Sequence, residues 1–129
     1  LPRIAKRAGL TINMHPAHWP TDQSRAAAAI IAAESGPGDQ GALIRALARA
    51  LWVEEKDIAD QAVIDAALTE AGFDPAAIDY DAGAAKLEPQ TDEAMEAGVF
   101  GFPFYIVDGE KFWGQDRLPY LDDHLAELG

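Results

Sequence analysis

Residues 98–118 read GVFGFPFYIVDGEKFWGQDRL. Two apolar runs, PFYIV and KFWGQ, flank Asp108-Gly109, a dipeptide that strongly favours a two-residue hairpin turn. This pattern predicts a β-hairpin. Pro103 stands at its mouth, where the first position of an edge strand tolerates a missing N–H. Downstream, DRLPYLDDHLAEL reads as an amphipathic closing helix, with Leu118, Leu121 and Leu125 on one face and Asp116 as its N-cap. A lone two-stranded hairpin is marginal in water. The aromatic and aliphatic content of this one implies burial, so it calls for further strands. LTINMH, residues 10–15, is a weak candidate for one.

Upstream of the hairpin the pattern is helical. Pro2 to Ala8 reads as a helix stopped by Gly9. Asp22 is placed to cap a helix through QSRAAAAIIAAE, which ends at the SGPG break of residues 35–38. Asp39 opens the next helix, and Leu43, Leu47, Ala50 and Leu51 recur at helical spacing to form its apolar face. Asp60 caps QAVIDAALTEAG, and Gly72 ends it. Pro75 starts a short helix in the position its ring favours. AAKLEP is predicted helical up to a break or kink at Pro89, because proline disfavours the helical conformation of the residue before it. TDEAMEAG then forms a separate segment, capped by Thr91 or Asp92 and stopped by Gly98.

Composition bounds the function. The chain has 129 residues, 49% of them hydrophobic, enough for a globular core. No apolar run is long enough to cross a membrane. The net charge of −12, with no basic stripe, argues against nucleic acid as a partner. Arg3, Lys6 and Arg7 form the one local basic cluster and read as a solvated helix face. The chain has no cysteine, which excludes a disulfide, a thiolate metal site or a cysteine nucleophile within it. His15 and His18 lack an evident third ligand, so no metal site is assigned. Glu54, Glu55 and Asp57 form an acidic run that reads as solvent-facing.

The order Gly-x-Pro, strand, tight turn, second strand ending FWGQDR, then helix resembles the C-terminal ββα half of an α/β thioredoxin-like fold. GVFGFP together with FWGQDR resembles the 2-hydroxychromene-2-carboxylate isomerase family, grouped with kappa-class glutathione transferases and DsbA-like proteins. ALWVEEKDIAD and EAGVFG resemble that family's helical region, so the likeness runs along the whole chain. It implies a helical insertion over residues 1–97 and a C-terminal ββα part over residues 98–129. It also implies that a βαβ unit precedes Leu1 and carries the missing strands, with the serine that activates the glutathione thiol. Ser24 and Ser35, in the helical insertion, do not inherit that role, and no catalytic residue is assigned in this chain.

The resemblance further implies a cis Phe102–Pro103 bond, with the main chain of Phe102 pairing the cysteinyl part of glutathione. Gln115 and Asp116 would take the γ-glutamyl end, because free N–H groups at a helix start receive carboxylates. From the residues alone, Asp116 reads first as a plain N-cap with no ligand; the resemblance brings the ligand reading level with it, and the two roles are compatible. Trp113 is a candidate wall for an aromatic substrate or a core residue. HWPTD, residues 18–22, is a candidate cleft wall.

The implied activity is isomerisation of 2-hydroxychromene-2-carboxylate, a small aromatic carboxylate, with glutathione as cofactor, in a cytoplasmic homodimer. A DsbA-like thiol-disulfide oxidoreductase, a kappa-class glutathione transferase and a non-catalytic thioredoxin-like binding module stand as alternatives.

Overall fold

The computed structural model describes residues 1–129, which divide into two compact units, Leu1–Pro89 and Gln90–Gly129. In the first unit, aspartates start two of the four helices and glycines follow two. α1 spans Pro2–Arg7, α2 Ser24–Ala32, α3 Gln40–Trp52 and α4 Gln61–Glu70. Asp39 accepts the Ala42 N–H at the head of α3, and Asp60 accepts the Ala62 N–H at the head of α4. Asp74 caps the 3-10 turn Pro75–Ala77. Gly9 and Gly72 follow α1 and α4 in left-handed conformation, where a Cβ would be strained. Asp22 acts one residue off its expected place. It accepts the Ser24 N–H, while the cap position of α2 belongs to Gln23.

The apolar spacing of α3 and α4 produces the core. Leu43, Leu47, Ala50 and Leu51 pack with Ile64, Ala67 and Leu68, and with Ala26, Ala29 and Ala33 from the α2 segment. Leu43, Ile64 and Leu68 are the largest fully buried side chains. Burying one such side chain is worth about 1.5–3 kcal/mol. LTINMH forms no strand; Asn13 N–H donates to the Trp52 carbonyl, its one cross-link to α3.

α5 runs from Tyr80 to Glu96 without interruption at Pro89. The expected break, and the separate segment capped by Thr91 or Asp92, are both corrected by this. Proline removes only the one N–H that would reach the Ala85 carbonyl, and Ala85 is exposed, so water can take that acceptor. The neighbouring alanine, lysine, leucine, glutamate and glutamine residues favour helix strongly enough to carry it through. The cap of α5 is Asp79, whose carboxylate accepts the Ala82 N–H. Gly83 is the buried residue of α5 and meets the α2 backbone, where a Cβ would fall 2.1 Å from the Ala28 oxygen.

In the second unit, β1 (Phe104–Val107) pairs antiparallel with β2 (Glu110–Trp113), in register from Phe104↔Trp113 to Val107↔Glu110. Asp108 and Gly109 both have positive φ, 49° and 83°, as a type I′ turn demands. α6 spans Leu118–Glu127. Phe112 and Leu121 are the buried apolar side chains here, and His124 of α6 lies against the Phe112 ring. Glu110 is two residues from Phe112 on the same face, and its carboxylate stands 3.4 Å from His124 Nδ1. The Phe112 face of the hairpin is therefore the one α6 covers. Leu118 and Leu125, expected on the same apolar face as Leu121, remain exposed.

No helix is long and apolar enough to cross a membrane.

Candidate functional site

The open end of the hairpin brings together Phe102, Pro103, Trp113, Gln115 and Asp116. The Phe102–Pro103 peptide bond is cis, as is Trp19–Pro20. Phe102 is 87% exposed. Neither its N–H nor its carbonyl makes a hydrogen bond within the chain. The bend is nevertheless tied down beside it, because the Pro103 carbonyl accepts the Gly114 N–H at 2.9 Å. That bond extends the ladder one step beyond Phe104↔Trp113. It brings the Phe102–Pro103 bend next to the corner where β2 gives way to residues 115–117.

Gly114 makes that corner possible. Its φ of 100° and ψ of 151° belong to a region reserved for glycine. The chain then enters a 3-10 turn, Gln115–Arg117, before α6 begins at Leu118. This corrects the expected N-cap. Asp116 lies inside the turn, and α6 starts after Arg117 with no side-chain cap. Pro119 in the first turn of α6 explains the later start, since proline is favoured there and is poor deeper in a helix. The Asp116 carboxylate folds back beside Gly114. The N–H groups of Gln115 and Asp116 have no partner in the chain, as at the start of any helical segment.

Aromatic rings line one side of this corner. Phe100 sits edge-on to Phe104, with centroids 5.3 Å apart, and edge-on to Trp113 at 4.9 Å. Trp113 is half exposed and Phe100 largely so. Arg117 lies over the Tyr120 ring, its guanidinium carbon 5.9 Å from the ring centroid. The corner thus offers one free main-chain donor and one acceptor at Phe102, free amides at Gln115 and Asp116, one carboxylate, and a flat apolar wall. These features suit an extended peptide-like ligand with a terminal carboxylate, next to a planar apolar group.

HWPTD organises a different place, within the first unit. Trp19 packs against Trp52, with ring centroids 5.1 Å apart and planes tilted by 43°, and lines a cavity of about 280 Å³ with Leu47, Leu51 and Ile58. Thr21 donates its hydroxyl to Asp57 at 2.6 Å, and Asp57 also accepts the Ala59 N–H. These bonds, with His18 Nδ1 3.8 Å from the carboxylate, hold the Asp57 carboxyl below its ordinary value. Asp57 is therefore a tether between two loops rather than a free member of an acidic run. No three His, Cys, Asp or Glu side chains come together to hold a metal ion.

Sequence reasoning missed the ring contacts of Phe100 and the close approach of Gly101 to Trp113. The alternation of Phe100, Phe102 and Phe104 hinted at a division of roles. It could not say that 100 and 104 turn to Trp113 while 102 stays free.

Residues 1–126 match the family model of the DSBA-like thioredoxin domain. The chain is also 29% identical, over 96 residues, to the 2-hydroxychromene-2-carboxylate isomerase of Sphingobium xenophagum. That alignment takes in 71% of this chain and 49% of the relative, so the chain spans about half the length of that curated protein. A match over nearly all of its residues, together with the hairpin, the bend and the closing helix, shows that the chain belongs to the DsbA-like thioredoxin-domain family.

Proposed function

We propose that this chain carries the glutathione-receiving corner of an isomerase that converts 2-hydroxychromene-2-carboxylate to trans-o-hydroxybenzylidenepyruvate. The observation that carries the reading is the main chain of Phe102, a largely exposed residue, free of any internal hydrogen bond and set beside the free amides of Gln115 and Asp116. The name of the relative points to the substrate.

Glutathione fits the groups present. Its cysteinyl N–H and carbonyl match the unpaired carbonyl and N–H of Phe102, pairing as an added strand does. Pro103 has no N–H to compete. The α-carboxylate of the γ-glutamyl end suits the N–H groups of Gln115 and Asp116, and the ammonium beside it suits the Asp116 carboxylate. Trp113 offers its half-exposed ring as a wall for a flat aromatic carboxylate. Bound glutathione supplies a thiolate nucleophile, which no side chain of this chain provides.

The residues of the chain therefore bind and orient. Phe102 sets the direction of the tripeptide, Asp116 and the adjacent amides fix its far end, and the aromatic wall excludes water from one side. Both ligands are anions approaching a chain of net charge −12. Arg117 and the local amides must act at short range, where screening by salt leaves them effective. A homodimer in the cytoplasm is part of the same reading. The oxidoreductase alternative requires a redox dithiol, to which these 129 residues contribute no cysteine.

The test is to follow the ultraviolet absorbance of 2-hydroxychromene-2-carboxylate with the protein at its native length, with and without reduced glutathione. Conversion that requires reduced glutathione and is inhibited by S-methylglutathione is expected. Equal rates with and without the thiol, or no conversion at all, would overturn the reading.

A further inference from the structure

We propose that Phe100 and Gly101 are positioning residues, which hold the Phe102–Pro103 bend in its ligand-receiving shape by bracing it against Trp113. This rests on the glutathione reading above. Phe102 makes no hydrogen bond through its main chain and is 87% exposed, so nothing at that residue fixes its own orientation. Its neighbours must do so.

On the downstream side, the Pro103 carbonyl is held by the Gly114 N–H. On the upstream side Phe100 and Gly101 make no backbone hydrogen bond, the nearest being from the Val99 N–H to the Ala94 carbonyl, and aromatic contacts hold the stretch between. Phe104 and Trp113 are directly paired across the hairpin, so their side chains share a face. The Phe100 ring stands edge-on to both, at interplanar angles of 87° and 67°. This geometry matches the attraction between a ring edge and a ring face. Between these anchors, the backbone of Gly101 rests on the Trp113 indole. A Cβ there would lie 2.7 Å from Nε1 and 3.3 Å from Cε2. Only glycine lets the chain pass this close, and a side chain would lift the bend off the ring.

Phe100 is 70% exposed, so burial alone does not account for an aromatic side chain at that position. Its contacts are spent on the two rings that flank the bend. Trp113 thereby serves the bend as well as the ligand wall.

The experiment is calorimetric titration of reduced glutathione into the protein at its native length, as wild type, Phe100→Ala, Phe100→Tyr and Gly101→Ala. Each is paired with its Tm and with the hydrogen-exchange protection of the Gly114 amide. Loss of two edge-on ring contacts is expected to weaken binding about tenfold in Phe100→Ala. Gly101→Ala should lose at least as much, and Phe100→Tyr should restore wild-type affinity. The Gly114 amide should lose protection in Phe100→Ala while Tm barely moves.

Wild-type affinity in Phe100→Ala overturns the positioning role and leaves the glutathione reading standing. A loss of affinity that tracks a fall in Tm and is not repaired by Phe100→Tyr marks a merely structural residue and also overturns it. No uptake of glutathione by the wild type removes the glutathione reading itself, and the positioning role with it.

Discussion

Replacing Gly114 with alanine tests how the corner between β2 and the 3-10 turn is built. Its backbone, at φ 100° and ψ 151°, lies where a residue with a Cβ pays about 1–3 kcal/mol in strain. The added methyl would also meet Asp116 Oδ1 at 2.6 Å. That atom ends a flexible, exposed side chain that can rotate into water, so the steric contribution is small and the backbone contribution decides. The unit Gln90–Gly129 buries only Phe112 and Leu121 among its apolar side chains. A loss near 2 kcal/mol is therefore large against what so small a core supplies. About 2 kcal/mol corresponds to a roughly thirtyfold drop in hydrogen-exchange protection across the amides of β1 and β2, if these exchange through opening of the unit. Adding Asp116→Ala separates the two causes. Strain predicts that the double variant stays as poorly protected as Gly114→Ala. Unchanged protection in Gly114→Ala, or full recovery in the double variant, would refute the reasoning.

Gly83→Ala gains about 1 kcal/mol in helix propensity but drives a Cβ to 2.1 Å from the Ala28 carbonyl oxygen, a backbone atom that cannot step aside. Overpacking of about 1–3 kcal/mol or more should win, so Tm falls, whereas a rise in Tm refutes the close crossing of α2 and α5. Leu68→Ala, at a fully buried site, should cost about 2–5 kcal/mol by urea denaturation, and a loss under about 1 kcal/mol contradicts the core as described. Asp57 titrates below its ordinary 3.8, chiefly through the Thr21 hydroxyl and then the Ala59 N–H. Its folded pKa being depressed, its contribution is complete above pH 3.8 and disappears as pH falls through the lower folded value. Asp57→Asn should therefore be less stable than wild type at neutral pH, with the gap narrowing in acid. A gap that stays constant down to pH about 2 contradicts the linkage.

What was legible in the sequence was mostly local. Asp39, Asp60, Gly9, Gly72 and Asp108-Gly109 act where their short-range chemistry places them, because a cap or a turn needs only a few neighbouring residues. Pro89 does not break α5, because one lost hydrogen bond in a solvent-exposed helix costs less than the surrounding helix formers return. Asp116 misled for a geometric reason. The glycine corner at 114 and the proline at 119 together shift the start of α6, and neither signal alone reveals the shift. Of the candidate site, the spacing of Gly-x-Pro and FWGQDR marked residues that lie together, since the Gly114 N–H bonds the Pro103 carbonyl. The partition of Phe100, Phe102 and Phe104 depends on cross-strand ring contacts, which alternation by itself leaves undetermined. The tether from Thr21 to Asp57 joins residues far apart in the chain, with no periodic pattern to announce it.

The central claim is that the free main chain of Phe102 and the amides of Gln115 and Asp116 receive glutathione. The most direct test is a titration of the isotope-labelled protein, at its native length, with reduced glutathione, observed through its backbone amide resonances. The account predicts saturable shifts concentrated at Phe102, Gln115 and Asp116, absent when glycylglycine replaces glutathione. Shifts that centre elsewhere, or no saturable shifts at all, would contradict it.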